Sequence, residues 1–518
     1  MKTDQKQLSA GRALLLPMAF AAGLLVLGAL RSEPAITRAM IAAAGVLLLW
    51  VVALFARAKS TSREFGLSVV ARKPHYVQCT AQLILYAYWG YHVPSIRAFY
   101  PLIFAQLVFA YGFSSLLAWS RRNDFELGFG PFPIILSINL FLLFRPEWFH
   151  WQFGIIALGY LAKEFIRWEK GGRSAHIFNP SSFPLAVFSL VLILTGTTDT
   201  TLGIEIATTL FNPPHMHVLI FLVALPGMLL FGVTTMTLAA AVTTYMFGLA
   251  YFAATGTYLF FDSYIPIAVF VGMTLLVTDP STAPRTESGR VIYGVLYGMA
   301  TIALFGVLRL MDAPTFYDKL LPVPILNLLI QMIDRSVTTG PLKTLSLERV
   351  GTVLSATQRR VATVGLWGMI FVAFAAADGV GDEHRGQWVP FWQTTCAQGS
   401  DRACDYLAVQ QQNLCERGAG WSCNELGILL AVEMRDPQEA LSVFRYGCNL
   451  GFPAACENGA RVEGGSTSLA SAGLTPGDLP IVLRGSKGPV RERDPAALYA
   501  IACERGWTSA CGSRFVDP

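Results

Sequence analysis

Residues 172–184 read GRSAHIFNPSSFP and residues 278–290 read TDPSTAPRTESGR. Each sets an amide or acid before Pro-Ser-Ser/Thr, as Asn179-Pro180-Ser181-Ser182 and Asp279-Pro280-Ser281-Thr282. Asn or Asp followed by Pro suits an N-cap and first turn, so the first predicts a helix from about 183 and the second a short turn before a helix at about 291. Helix N-termini facing one cavity offer N–H donors and a positive dipole end, which suit a phosphate, a ring carbonyl, or an anionic flavin or quinone. Arg285 and Arg290 add fixed charge, Tyr293 and Phe178 offer rings to stack on a planar group, and His176 can give or take a proton. The blander reading is that the arginines only orient the chain in a membrane, His176 caps backbone, and the prolines punctuate loops. A third loop, Asn212-Pro213-Pro214 with His215 and His217, shows no carboxylate partner for a metal and reads as a loop.

The remaining chemistry is cysteine. Cys79 lies alone in an apolar stretch, whereas the other eight form four C-x7-C pairs: Cys396/Cys404, Cys415/Cys423, Cys448/Cys456 and Cys503/Cys511. Eight residues suit one Cys at the end of a helix, a tight turn, and one Cys at the start of the next. Gly399, Gly418, Gly451 and Gly506 each fall three positions after the first Cys, where a helix C-terminus takes a residue that accepts positive φ. The unit reads as a disulfide-stapled helical hairpin. Zinc is the alternative, but zinc sites favour closer Cys spacing and only His384 is nearby. Four local disulfides imply an oxidising compartment. The longer step from Cys448 to Cys503 contains a Gly/Ser/Pro-rich insertion, residues 463–487, expected to be a flexible loop.

What must position the two loops is a membrane bundle. Of 518 residues, 53% are hydrophobic and only 14% charged, and mean hydropathy is +0.48, which excludes an ordinary soluble enzyme. Thirteen spans are expected, at 13–30, 36–56, 76–93, 100–119, 129–144, 148–163, 183–196, 217–232, 234–252, 264–278, 291–311, 315–334 and 361–377. The first is read as a span and not a signal peptide, because Arg31-Ser32-Glu33-Pro34 leads into another apolar run and offers no small-residue cleavage site. The span at 315–334 is the weakest, holding Asp318, Lys319, Pro322 and Pro324, and a re-entrant segment is its alternative.

The net charge of +5 is uneven: residues 361–518 carry 12 Lys+Arg against 17 Asp+Glu. With the N-terminus cytoplasmic, the cytoplasmic segments hold 21 Lys+Arg, Arg57, Lys59, Arg63, Arg72 and Lys73 among them, against six on the other side. That bias orients the bundle and gives no reason to expect nucleic acid as a partner. Both motif loops then face the cytoplasm, and the cysteine-rich residues face the periplasm of a bacterial inner membrane.

The segments CERGAGWSC, CNLGFPAAC and CERGWTSAC, with their spacing, resemble the Sel1-like repeats of disulfide-linked bacterial proteins. The resemblance implies an α/α solenoid related to tetratricopeptide repeats, over residues 378–518, that docks periplasmic or membrane proteins. HIFNPSSFPL, with TDPSTAP and the following SGR-V-IYG, is similar to the RnfD and NqrB membrane subunits of Rnf and sodium-translocating NADH:quinone reductase complexes. The likeness is closer to a divergent branch associated with enediyne biosynthesis, and it spans about 75–310 within a transmembrane domain at 1–377.

The RnfD/NqrB resemblance implies an all-α bundle, embedded in membrane lipid, that passes electrons through a flavin or quinone. It implies that His176, Asn179, Ser181, Asp279, Ser281, Arg285, Arg290 and Tyr293 hold the cofactor. Members of that family carry FMN on a Thr in a D-x-x-[S/T]-G-A-T type motif. This chain lacks it, with Thr208 the nearest substitute, so the expectation is a non-covalent flavin (FMN or riboflavin) or quinone and not covalent FMN. Beside membrane electron transfer stand two alternatives: a transporter or channel, and a scaffold or assembly subunit with no cofactor of its own.

Overall fold

The computed structural model describes residues 6–169, 172, 174–340, 355–484, 492 and 494–511. Arg173 of the first motif and residues 485–487 of the insertion lie outside them. Helix makes up 72% of the described residues and strand 5%, in keeping with an all-α design. The chain divides into two units, Met1–Thr244 with Ile267–Val372, and Tyr245–Pro266 with Ala373–Pro518.

The first unit begins with strand β1 (Lys6–Ser9) and helices α1 (Ala10–Ala29) and α2 (Pro34–Ser60), then β2 (Glu64–Val69), α3 (Lys73–His92), the short α4 (Pro94–Arg97), α5 (Tyr100–Arg121) and β3 (Asp124–Leu127). β2 pairs antiparallel with β1 and parallel with β3, so the polar strands between helices form a small three-stranded sheet. Next come α6 (Pro131–Asn139), α7 (His150–Phe165), the antiparallel pair β4 (Arg167–Glu169) and β5 (Ser174–His176), α8 (Ser182–Thr195), α9 (Gly203–Phe211), α10 (Met216–Phe231) and α11 (Thr234–Thr255). α12 (Ile267–Val271), α13 (Glu287–Leu310), α14 (Pro322–Thr338) and α15 (Ala356–Ala376) follow. Phe221 and Phe371 stack at 4.1 Å between ring centroids, part of an aromatic core with Phe270 and Trp367.

Among the described residues, seven helices are long and apolar enough to cross a membrane, eight if the bent pair α9–α10, turned by 99°, counts as one span. Thirteen were expected, and the difference has local causes. The helix in the window 129–144 is only 9 residues, and those at 183–196 and 148–163 are 14 and 16. At 1.5 Å per residue even the last reaches only about 24 Å, short of a hydrocarbon core of about 30 Å. α3 has the length, at 20 residues, but carries His75, Gln78, Gln82 and His92. The run at 264–278 is a five-residue helix passing into a π-helical turn at Gly272–Leu276.

The weakest expected span does qualify, as a 24-residue segment Thr315–Thr338. Two of its four charged side chains are turned inward on each other, Lys319 Nζ lying 3.1 Å from Asp318 Oδ1 with both side chains at most 5% exposed. The ammonium also sits 4.3 Å from the Phe316 ring centroid. A pair of that kind takes the charges out of lipid without removing them from the segment.

The second unit contains α16 (Val389–Ala397), α17 (Asp401–Glu416), α18 (Gly420–Val432), α19 (Pro437–Asn449), α20 (Pro453–Glu463), α21 (Leu479–Arg484) and α22 (Pro495–Glu504). Cys396–Cys404, Cys415–Cys423, Cys448–Cys456 and Cys503–Cys511 are disulfide-bonded, which leaves none of the eight as a zinc-binding thiolate. The glycine after each first cysteine has positive φ: 87° at Gly399, 97° at Gly418, 84° at Gly451 and 94° at Gly506. Each therefore ends its helix in the left-handed conformation and turns the chain toward the second cysteine.

The described part of the insertion is not loose. Asn458 exchanges two hydrogen bonds with the Ala470 backbone, at 2.8 and 3.0 Å, and Trp421 Nε1 donates to the Ala472 carbonyl at 2.9 Å. Asp478 takes the Trp421 amide at 3.2 Å and the Thr475 hydroxyl at 2.5 Å. The Trp421 indole of α18 and the Asn458 amide of α20 thus satisfy its backbone, which Gly/Ser/Pro composition alone does not reveal.

Candidate functional site

The two motif loops meet. β5 carries His176 to within 3.3 Å (Nε2) of Asp279 Oδ2, and the Asn179 side chain donates through Nδ2 to the Leu276 carbonyl at 3.0 Å. Gly159 of α7 lets the first loop close in, since a Cβ there would lie 2.3 Å from the Pro180 carbonyl oxygen. The turns form as their residue types predict. Asn179 Oδ1 accepts from the amides of Ser181 and Ser182 at 2.9 and 3.1 Å and from the Ser181 hydroxyl at 2.7 Å, ahead of α8. Asp279 Oδ1 accepts the Ser281 amide at 2.9 Å and caps the single 3-10 turn Pro280–Thr282.

A third element locks the junction. Asn327, in the middle of α14 and fully buried, accepts the Asn179 amide on Oδ1 at 3.1 Å and donates through Nδ2 to the Thr282 carbonyl and the Tyr293 hydroxyl, both at 3.2 Å. Two turns further on, Asp334 accepts the Arg285 amide at 3.0 Å, the Thr286 amide at 3.1 Å and the Thr286 hydroxyl at 2.8 Å. Thr286 in turn accepts the Gly289 amide at 3.1 Å and is the observed N-cap of α13. A Cβ on Gly289 would stand 2.5 Å from Thr286 Oγ1 and 2.9 Å from Asp334 Oδ1, so glycine is required there.

Burial opposes ionisation of Asp279, but the His176 hydrogen bond and charge, the Ser281 amide and the Lys163 ammonium outweigh it and bring its pKa down to about 2. Asp279 is thus a carboxylate at any ordinary pH, and the His176 nitrogen facing it carries a proton.

These contacts redistribute the expected binding set. His176, Asn179, Ser181, Asp279 and Tyr293 do converge, with Asn179 and Ser181 each 5% exposed and Tyr293 wholly buried. Ser281 and Arg285 are exposed and join through their backbone amides. Arg290 turns away: Nη1 is 2.6 Å from Glu287 Oε1 and Nε donates to the Pro284 carbonyl at 3.1 Å. Phe178 stacks on Phe183 at 4.4 Å. Thr208 returns its hydroxyl to the Ile204 carbonyl at 3.0 Å, inside α9.

The amides expected to face a ligand are instead taken by Asn179, Asp279, Asn327 and Asp334, and the wholly buried Tyr293 turns its hydroxyl to Asn327. As arranged, these eight residues do not offer a flavin or quinone the donors and stacking surface that the family resemblance implies. Asn327 and Asp334 were not singled out from the sequence. Their signal was available, as polar side chains seven residues apart on one face of a largely apolar helix.

The second unit holds a different kind of site, a groove of ≈ 730 Å³ crossed by α17, α18 and α19. Its lining includes the apolar side chains of Val409, Leu430 and Tyr446, the carboxylates of Asp405, Glu416 and Glu439, and the polar Gln412 and Ser442.

No protein-family model, curated protein or solved structure matches the chain.

Proposed function

We propose that this protein is a membrane-anchored docking subunit, a helical bundle carrying an α/α solenoid of Sel1-like repeats that binds a protein partner. The observation that carries the reading is the groove of ≈ 730 Å³ in the second unit, with Val409 52% and Tyr446 45% exposed in its lining. Open apolar side chains in a concave surface are a feature of binding sites. Successive helix pairs stapled by disulfides supply the rigidity such a surface needs.

The proposed setting is a bacterial inner membrane with the N-terminus cytoplasmic and the repeats periplasmic. The excess of Lys and Arg on one set of loops supports that orientation, and four disulfides support an oxidising compartment for the repeats. Thirteen crossings give this orientation and so belong to the proposal, with the shorter helices completing spans inside the bundle. The two motif loops then act as a structural clasp at the cytoplasmic end.

The test is site-specific photo-cross-linking in native membranes, with a photoreactive residue at Val409, at Tyr446 and, as control, at the exposed Glu457 of α20. A discrete protein adduct at the two groove positions and none at Glu457 is the expected result. No adduct, or equal adducts at all three, removes the docking reading. Purified protein is expected to show no flavin absorbance near 450 nm, and a flavin bound at His176 and Asp279 would restore the electron-transfer alternative.

A further inference from the structure

The groove has a chemistry of its own. α17 presents Asp405, Val409 and Glu416 from one face, at spacings of four and seven that helical geometry aligns. Across from it stand Leu430 of α18 and, seven apart on α19, Glu439 and Tyr446. Met434, which also lines the groove, is 41% exposed. The lining thus sets open apolar side chains among three exposed carboxylates.

Those carboxylates are not neutralised from within. Among the described residues no basic side chain forms an ion pair with Asp405, Glu416 or Glu439, and the contact Glu416 does make is with the Gln412 amide at 3.0 Å. Two arginines of the same helices are engaged elsewhere. Arg402 donates to the carbonyls of Tyr258 and Leu259, and Arg445 pairs with Glu463 at 2.6 Å.

We propose that the groove takes a basic amphipathic helix of a partner protein. This rests on the docking reading and names the partner's chemistry. An apolar stripe on the incoming helix covers Val409, Leu430, Met434 and Tyr446, while Lys or Arg at its flanks meets the three carboxylates. An acidic segment would set like charges against each other at all three carboxylates, and a segment without apolar residues would leave the apolar lining wet. The lining comes from helix side chains with their backbones already hydrogen-bonded, so an added β-strand has no edge to pair with. Because the carboxylates are exposed, they contribute mainly to selectivity and association rate, and salt weakens them.

The experiment uses the full chain in phosphatidylcholine nanodiscs and three labelled peptides read by fluorescence anisotropy: an amphipathic Leu/Lys helix, its Leu/Glu counterpart, and a scramble of the Leu/Lys composition. Binding to empty nanodiscs is subtracted. The Leu/Lys helix is expected to bind saturably and the other two not. The triple variant Asp405→Lys, Glu416→Lys, Glu439→Lys is expected to bind Leu/Lys at least about tenfold more weakly and to gain binding of Leu/Glu, a reversal that mere unfolding cannot produce. Retention of all four disulfides and of the helical circular dichroism checks its fold. Equal binding of basic and acidic peptides, unchanged Leu/Lys binding by the variant, or no binding of Leu/Lys overturns the proposal. If that happens while Val409 and Tyr446 still cross-link a partner, the docking reading stands and only the basic helix falls; if the cross-links are missing as well, both fall.

Discussion

Asn327 shows how one side chain can hold three pieces of chain. It satisfies the Asn179 amide, the Thr282 carbonyl and the Tyr293 hydroxyl at once, all in a buried setting. Asn327→Leu fills similar space but strands those groups, and buried unsatisfied polar groups cost about 1–3 kcal/mol each. The expected loss is on the order of 3 kcal/mol, read as a lower Tm of the membrane unit in detergent. Asp279 supplies a pH signature. Its pKa falls from 3.8 to about 2 on folding, so its stabilisation is fully present above the unfolded value and is lost as pH drops from about 4 through 2. Its full size is roughly 2 kcal/mol. Thermal unfolding of wild type and Asp279→Asn should therefore differ at neutral pH and converge toward pH 2. Parallel curves over that range would show that the His176 contact does not hold the carboxylate. The Asn-Pro and Asp-Pro turns were legible because capping is local. Asn327 was not, because nothing in its neighbourhood says which loops it will meet.

At the scale of elements, the second unit is built from one repeated device, a helix end turned by a glycine and tied by a disulfide. Gly451 isolates the backbone part of it, since its φ is 84° and a Cβ there would touch nothing within 4 Å. Gly451→Ala is expected to cost about 1 kcal/mol through conformation alone. Gly427→Ala, whose Cβ would lie 2.6 Å from the Phe444 ring, is expected to cost more. Unfolding of the two variants by urea separates the causes. Replacing Cys448 and Cys456 together by Ser opens an eight-residue link, and the chain-entropy estimate for so short a loop is about 2–3 kcal/mol. The insertion teaches the opposite lesson. Its composition reads as a loop, yet Asn458, Trp421 and Asp478 hold its backbone in place. Asn458 and Trp421 lie on α20 and α18, where a reading of the insertion alone does not look.

For the whole molecule, the division into two units predicts two stability regimes. Mild reduction is expected to lower an unfolding transition of the disulfide-bearing unit and leave that of the other unchanged. The eight paired cysteines lie in one unit, and Cys79 of the other is buried and unbonded. Differential scanning calorimetry with and without reductant reads this, and a single transition that shifts as a whole would contradict it.

What the sequence by itself determined about this protein is whatever depends on neighbours along the chain: apolar helices enough for a membrane protein, capped turns at Asn179 and Asp279, and the four C-x7-C links with left-handed glycines. Caps, turns and short disulfide loops are settled within about a dozen residues, which a single sequence displays. Only the tertiary structure decided that α14 clasps the two loops, that their amides are spent inside the clasp, that Asp318 and Lys319 pair with each other, and that three carboxylates without an ion pair among the described residues line one groove with apolar side chains. Those outcomes depend on which distant side chain reaches a buried polar group first. The penalty for leaving such a group unpaired is large, but it names no partner until the chain has folded.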